Sequence, residues 1–350
     1  MICKIKLTNF RNFRERLFSF SPKTTVIVGP NASGKSNILE ALFLLSMGKS
    51  FHVQLEEEMI RNGEDIARVK GLVGSSIETT KLEVILTRGQ IEVGDAKFEK
   101  TPRKKLLVNG VSRRLIDFTG NFKVVLFGPW DMGLVTNSPS IRRNFLDNVL
   151  SQVDREYRRA ILSYEKGVRQ RNKLLFRIRE ESLSKSQLIF WNQLLIKNGD
   201  YISTKREEFV EYINAAQKIS DHDFSVEYDK SIISEMRLEH YQEEEVAAAT
   251  TLVGPHRDDF IFKEVNKDMS IYGSRGEQRM AVLWIKLAEM GFVEIKTREK
   301  PTLLLDDIFS ELDHEHRDIV MGITRWQQTV ITTADPHFVE GFKGGKTILL

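Results

Sequence analysis

Eight consecutive residues, Gly29-Pro30-Asn31-Ala32-Ser33-Gly34-Lys35-Ser36, place two glycines, a lysine and a hydroxyl at the spacing that cradles a chain of phosphates. Glycine lets the backbone close around an anion, so that successive N–H groups point inward and a following helix turns its N-terminus to the same charge. Lys35 then reaches the β- and γ-phosphates, and the Ser36 hydroxyl ligates Mg²⁺. Far along the chain, Leu303-Leu304-Leu305 ends in Asp306-Asp307. An apolar strand with acids at its carboxyl end matches the edge where doubly wound sheets bind ligands. Asp306 is suited to hold Mg²⁺, directly or through water, and Asp307 to polarise an attacking water. Hydrolysis of a nucleoside triphosphate such as ATP is the chemistry these groups share.

A third constellation, Ser274-Arg275-Gly276-Glu277-Gln278-Arg279, opens a helix upstream of the acidic strand end. Ser274 is a good N-cap, and a Ser-x-Gly start leaves backbone N–H groups free for an anion. Ser274 and Glu277 equally make a capping box, which serves only the helix's own amides.

These groups need elements to hold them. The run Thr24-Thr25-Val26-Ile27-Val28 reads as a strand feeding the loop, and Asn37 to Met47 as a helix with Gly48 as its stop. Ile38, Leu39, Leu42, Phe43 and Leu45 make that helix apolar on nearly all sides, as suits burial between two layers. From Ile66 to Val111 the period is two, and Asn109-Gly110 marks a hairpin, so an antiparallel sheet is inserted. Lys123 to Phe127 is a further apolar strand. No proline occurs between Pro139 and Pro255, and helical periods mark two helices, through Ile161–Ile178 and Leu188–Ile202, with a turn near Ser182. Strand and helix alternate again beyond Thr250, with a helix from Glu277 to Glu294, the acidic strand, a helix from Asp313 to Trp326 and the strand Thr329–Thr332. The expected class is α/β, with 1–140 and 246–350 as two halves of one nucleotide-binding head and 141–245 as a helical lobe.

The 350 residues carry a net charge of +3, which announces no nucleic acid by itself; any basic surface is local. Lys97, Lys100, Arg103, Lys104 and Lys105 precede the Asn109-Gly110 hairpin and Arg113-Arg114 follow it. Arg155, Arg158, Arg159, Lys166, Arg169, Arg171, Lys173, Arg177 and Arg179 line the first helix of the lobe. Such groups bind DNA phosphates without reading sequence, or form a solvated face. The single Cys3 excludes an intrachain disulfide and the usual zinc clusters, and no apolar run approaches the roughly 20 residues that span a bilayer. The alternating Met1–Leu7 lacks a signal-peptide core, so a cytoplasmic protein without a membrane partner is expected.

Ser274-Arg275-Gly276-Glu277-Gln278 resembles the signature motif of ABC-type ATPases, and Ser310-Glu311-Leu312-Asp313 their D-loop. More narrowly the chain resembles the RecF family of bacterial recombination-repair ATPases. The match runs through Asn9–Phe13, Gly34–Ala41, Gly48–Phe51, Pro139–Asp147, Thr251-Leu252-Val253-Gly254-Pro255-His256-Arg257-Asp258-Asp259-Phe260 and Leu304–Asp313. The resemblance implies an ABC-type head with an inserted antiparallel sheet and a compact helical lobe without a long coiled coil. It implies a homodimer that closes on ATP and Mg²⁺, with Ser274, Gly276 and Gln278 of one subunit facing Gly29–Ser36 of the other and hydrolysis releasing the pair. One copy of each motif per chain agrees with a site made by two chains. DNA, single-stranded, double-stranded or a junction of the two, and a RecR-type mediator that loads recombinase are the implied partners. Lys104, Lys105, Arg113 and Arg114 are the candidates for DNA. Arg11 contacts either the nucleotide base or signature helix, or its own hairpin turn. The Gly254–Asp259 block has a polar junction between lobes as its expected role.

Two departures from the general ABC pattern stand out. Asp307 replaces the usual glutamate, and no glutamine lies between Gln90 and Gln152, where the Q-loop glutamine falls. Asp131 takes about that place as a metal or water contact, and His337 is the candidate switch histidine. Slow, switch-like hydrolysis is expected. The rivals are a transporter ATPase subunit, an SMC-like DNA clamp with long heptad arms, and a module that uses ATP only as glue.

Overall fold

The computed structural model describes residues 1–74, 78–92, 98–219, 221–310, 314–335 and 345–350. Strand β1 (Ile2–Phe10) turns tightly into its antiparallel partner β2 (Phe13–Ser19). Strand β3 (Thr24–Val28), buried at every residue, delivers the chain to the phosphate loop and to α1 (Lys35–Met47). All of α1 except Ser36 and Asn37 is buried, and Gly48 closes it in the left-handed conformation at φ 67°. Then β4 (Ile66–Gly74), β5 (Thr79–Thr87), a small β6–β7 hairpin (Gln90–Glu92 with Phe98–Lys100), β8 (Lys104–Val108) and β9 (Val111–Arg113) follow. The order β2-β1-β4-β5-β8-β9 makes one antiparallel sheet. Its register places Leu7, Val69, Val84 and Leu106 in one row on the inner face. That face packs on α1 so closely that a Cβ on Gly71 would lie 2.5 Å from Leu45. Each large aliphatic side chain buried there contributes about 1.5–3 kcal/mol. The short α2 (Leu115–Phe118) and β10 (Val124–Phe127) complete this stretch.

The second unit, residues 132–292, starts with α3 (Gly133–Thr136), α4 (Pro139–Val153), α5 (Arg155–Glu181) and α6 (Ile189–Asn214). Tyr201 donates to Asp154 and Arg171 to Asn192, so α5 and α6 run antiparallel. At 27 and 26 residues they are each about 40 Å long, a compact pair and not an arm. Between them, Ser182 adopts the left-handed turn at φ 52°. Strand β11 (Phe224–Asp229), α7 (Glu235–His240), α8 (Gln242–Ala248), β12 (Asp259–Glu264), β13 (Lys267–Asp268) and α9 (Met269–Tyr272) follow. The three-stranded sheet β11-β12-β13 was not legible in the helical period of this region. Phe145, Phe209, Phe260 and Phe292 form the aromatic core of the unit.

Helix α10 (Arg275–Thr297) contains the division between the units, at Phe292 and Val293. The first unit, residues 1–131 with 293–350, then gains β14 (Thr302–Asp306), α11 (His314–Thr324), β15 (Thr329–Thr333) and β16 (Lys346–Leu349). These build a parallel sheet in the order β10-β14-β15-β3-β16, with α1 between it and the antiparallel sheet. The fold is therefore of the α/β class, with a parallel sheet carrying the phosphate loop, an inserted antiparallel sheet and a compact helical lobe. Lys97, Glu311 to Asp313 of the expected D-loop, and His337 lie outside the described residues.

Candidate functional site

In the parallel sheet β15 lies between β3 and β14, so the ends of β3 and β14 open at one edge. The loop leaves β3 there. Ala32 at φ 65° and Gly34 at φ 104° are both left-handed, which turns the loop's amides toward its concave side. Gly34 is required twice, because a Cβ would also lie 2.5 Å from Asn12 Nδ2 and 2.9 Å from Phe13. Asn12 clamps the loop: its Nδ2 donates to the Ser33 carbonyl at 2.9 Å and its Oδ1 accepts from Asn37 Nδ2 at 2.9 Å. Lys35, 7% exposed, donates to the carbonyls of Gly29 at 2.8 Å and Pro30 at 3.0 Å, so its ammonium lies within the loop. Pro30, Asn31 and Ala32 stand exposed at the rim.

Asp306 ends β14 at the same edge, 3% exposed. Its Oδ1 accepts from Ser36 Oγ at 3.0 Å and from Thr332 Oγ1 at 2.5 Å. Two hydroxyls solvate this carboxylate, and among the described residues no lysine or arginine pairs with it. A buried anion so placed beside a hydroxyl fits a divalent cation. Among the described residues no cluster of three acids, histidines or cysteines forms a protein-only cage. A Mg²⁺ site built from one carboxylate, one hydroxyl and substrate phosphates needs none. Asp307 is held in the left-handed region at φ 49°, where its amide donates to Thr332 O at 3.2 Å and to Thr332 Oγ1 at 3.1 Å. Such a conformation costs about 1–3 kcal/mol. Thr332 thus ties both acids. Its position opposite Asp306 depends on strand register, which no local pattern announces.

Asp131 stands in the turn after β10, beside β14 in the sheet, and its Oδ2 accepts from the Gly128 amide at 2.8 Å. Arg11 occupies the β1–β2 turn at φ 53°. Its guanidinium donates to both oxygens of Glu40 at 2.7 Å each and to the Glu58 carbonyl at 2.9 Å. Glu40 is fully buried and also accepts from Ser50. The side chain of Arg11 is therefore committed to α1.

In the second unit, Ser274 and Glu277 form the reciprocal capping box: Ser274 N donates to Glu277 Oε2 at 2.6 Å, and Glu277 N to Ser274 Oγ at 3.3 Å. These bonds hold the Glu277 carboxyl below its ordinary range. Gln278, 8% exposed, spends its amide on the carbonyls of Met269 at 2.8 Å and Gly273 at 3.2 Å, which fixes the approach to α10. Gly276 differs: an added Cβ would find only Ser274 Oγ, at 4.0 Å. Its own chain does not require that glycine.

The proposed DNA residues do not make one patch. Lys104 is turned inward to the Gly48 carbonyl at 2.9 Å and to Glu56. Leu106 pairs with Arg113 across β8 and β9, which puts exposed Arg113 and Lys105 on opposite faces. Arg114 is 84% exposed. A larger basic surface emerges from register: Lys4, Lys6, Arg68, Lys70, Lys81 and Lys105 share the solvent face of the antiparallel sheet with two acids, Glu15 and Glu83. Those residues are scattered over a hundred positions, so sequence spacing hides them.

The Gly254–Asp259 block is explained within the second unit. Asp258 is fully buried and accepts from Arg206 at 2.8 Å, from Ser231 N at 2.8 Å and from Tyr228. Asp259 takes a two-pronged bond from Arg142, at 2.6 and 2.9 Å. His256 lies between Tyr164 OH at 2.8 Å and the Thr251 carbonyl at 3.0 Å, and burial lowers its pKa to about 4. No helix among the described residues is long and apolar enough to cross a membrane.

Residues 1–343 match the family described as RecF/RecN/SMC N terminal domain. The DNA replication and repair protein RecF of Ligilactobacillus salivarius is 33% identical over 94% of this chain and 90% of its own. A solved structure of the recombination mediator protein RecF-ATPrS in the RecFOR pathway is 30% identical, with a TM-score of 0.88 over 100% of this chain and 96% of that one. A second, of RecF-ATP, is 31% identical, with a TM-score of 0.85 over 95% and 92%.

Proposed function

This chain belongs to the RecF family of DNA replication and repair proteins, and on that premise we propose that it is an ATP-driven dimerisation switch on DNA. Gly29–Gly34 wrap the phosphates, Lys35 leaves the Gly29 and Pro30 carbonyls for the β- and γ-phosphates, and Ser36 with Asp306 holds Mg²⁺. When bound, Mg²⁺ neutralises charge on the phosphates. Asp307 orients the attacking water, with Asp131 as a further contact at the same sheet edge. Ser274 and the Gly276 amide of a second copy close the site on the γ-phosphate, and Gln278 keeps that helix start in place. Asp307 is one methylene shorter than glutamate, so turnover is slow and times release of the dimer. DNA is held by the basic outer face of the antiparallel sheet, which carries Lys105 with Lys6 and Lys70, while Arg113 and Arg114 stand apart from it, and a RecR-type mediator reads the dimer in replication-fork repair. Cytoplasmic work on DNA completes the reading.

The observation that carries this proposal is the Ser36–Asp306 contact, a hydroxyl and a buried carboxylate brought together at the phosphate loop. Gly276, with open space where a Cβ would be, supports closure by a second chain. Sedimentation of wild type, Lys35→Met and Ser274→Arg, with and without ATP, tests it. ATP should drive dimerisation of the wild type alone. Dimerisation indifferent to ATP or to Ser274→Arg overturns the shared site. With Asp307→Asn, ATP should trap the dimer on DNA; release at the wild-type rate would leave ATP as glue.

A further inference from the structure

Down the solvent side of α5, Leu162, Lys166, Arg169, Lys173 and Phe176 follow at steps of four, three, four and three residues. That spacing puts them in one row about 21 Å long. Leu162 is 36% and Phe176 50% exposed, and the three cations between them are exposed as well. Arg159 and Arg177 on the same helix pair with Glu156 and Glu181, whereas Lys166, Arg169 and Lys173 have no carboxylate partner among the described residues. Around Phe176, Arg169, Asn172, Lys173 and Arg177 line an open groove of about 560 Å³.

The Gly254–Asp259 block reaches the same place. Asn172 Oδ1 accepts from Thr251 N at 2.8 Å, and the Thr251 carbonyl accepts from Arg257 Nη2 at 3.0 Å. Arg257 is the one exposed residue of that block, so the buried network beneath it fixes a cation beside the row.

We propose that this row is a binding site for single-stranded nucleic acid, in which Lys166, Arg169, Lys173 and Arg257 hold phosphates and Phe176 stacks on a base. The proposal rests on the reading of the chain as a DNA-binding protein and assigns one strand of that DNA to α5. Unpaired cations in a row match a polyanion, and an exposed aromatic ring in a groove matches an unstacked base. A duplex offers Phe176 nothing to stack on, since its bases are covered by their neighbours. An acidic peptide would satisfy one or two cations, not a row flanked at both ends by apolar side chains.

Fluorescence anisotropy of the full chain with labelled oligo-dT, a labelled duplex of equal length, and a poly-glutamate peptide containing phenylalanine decides the matter. Phe176→Ala should weaken oligo-dT binding about five- to a hundredfold and leave duplex binding unchanged, and Phe176→Trp should restore it. Lys166→Ala and Lys173→Ala should each lower the salt dependence of oligo-dT binding by about 0.7 in log–log slope. Phe176→Ala without effect on oligo-dT, or with equal effect on the duplex, overturns the site. So does Phe176-dependent capture of the peptide that displaces oligo-dT, which would make the row a protein-docking surface. A wild type that binds neither DNA form fails the underlying reading as well.

Discussion

Ser36 Oγ lies 3.0 Å from Asp306 Oδ1, joining the first turn of α1 to the end of β14 across 270 residues of sequence. The carboxylate is 3% exposed and has hydroxyl partners in place of a cation. Asp306→Asn keeps an oxygen for both hydroxyls and removes the buried charge. The apo variant should therefore melt no lower than the wild type, while stabilisation by ATP with Mg²⁺ falls to the level seen with ATP and chelator. Thermal melts under the three conditions check this. A variant still stabilised by Mg²⁺ would remove Asp306 from the metal site.

Thr332 is the residue that holds both acids. Thr332→Val preserves shape but leaves Asp306 with Ser36 alone and removes one of two acceptors from the Asp307 amide. The expected cost is about 1–3 kcal/mol of stability. Turnover should fall at least tenfold with nucleotide affinity nearly unchanged, because the positions of the acids and not the phosphate loop are disturbed. Thr332→Ser should restore turnover. Steady-state hydrolysis beside equilibrium ATP binding separates the two effects.

Sequence alone revealed the phosphate loop, the acidic strand end and the helix start at Ser274, because each needs particular residue types at fixed short spacing. It also revealed α1, α5, α6 and the Asn109-Gly110 turn, whose periods and turn chemistry are local. What stayed hidden is set by long-range pairing. Thr332 stands opposite Asp306 through strand register, and Lys105 and Arg113 part to opposite faces for the same reason. Lys104 reads as a free cation until β8 brings it to Glu56, and Arg11 as a contact to the nucleotide, the signature helix or its own turn until α1 offers Glu40. The β11-β12-β13 sheet lay in a stretch whose stronger signal was helical.

Gly276 separates intrachain cost from cost at the proposed dimer interface. Within the chain a methyl group there meets nothing closer than 4.0 Å, and alanine is the better helix former by up to about 1 kcal/mol. Gly276→Ala should therefore leave the monomer at least as stable as the wild type and weaken ATP-dependent dimerisation at least tenfold. Melting curves without nucleotide and sedimentation with ATP read the two quantities separately. Unchanged dimerisation would place the γ-phosphate away from this helix start.

His256 makes the second unit sensitive to acid. Its Nε2–H donates to the Thr251 carbonyl and its Nδ1 accepts from Tyr164 OH, so both ring nitrogens are committed in the neutral tautomer. Burial, and then the charges of Arg257, Arg143 and Arg171, push the pKa down to about 4 against a bond to Thr251 that works the other way. The unfolded chain takes up this proton below its ordinary value of about 6.5, and the folded chain does so only below about 4. Between those limits the unfolded state binds more protons, so stability falls as the pH falls, by at most about 3 kcal/mol. Asp258, whose pKa burial raises, adds a slope of opposite sign above the ordinary aspartate range. The difference between wild type and His256→Gln isolates the histidine. Denaturant melts from pH 7 to pH 4 should show the wild type losing stability relative to the variant through that window, and parallel profiles would mean that folded His256 takes up its proton as readily as in the unfolded chain.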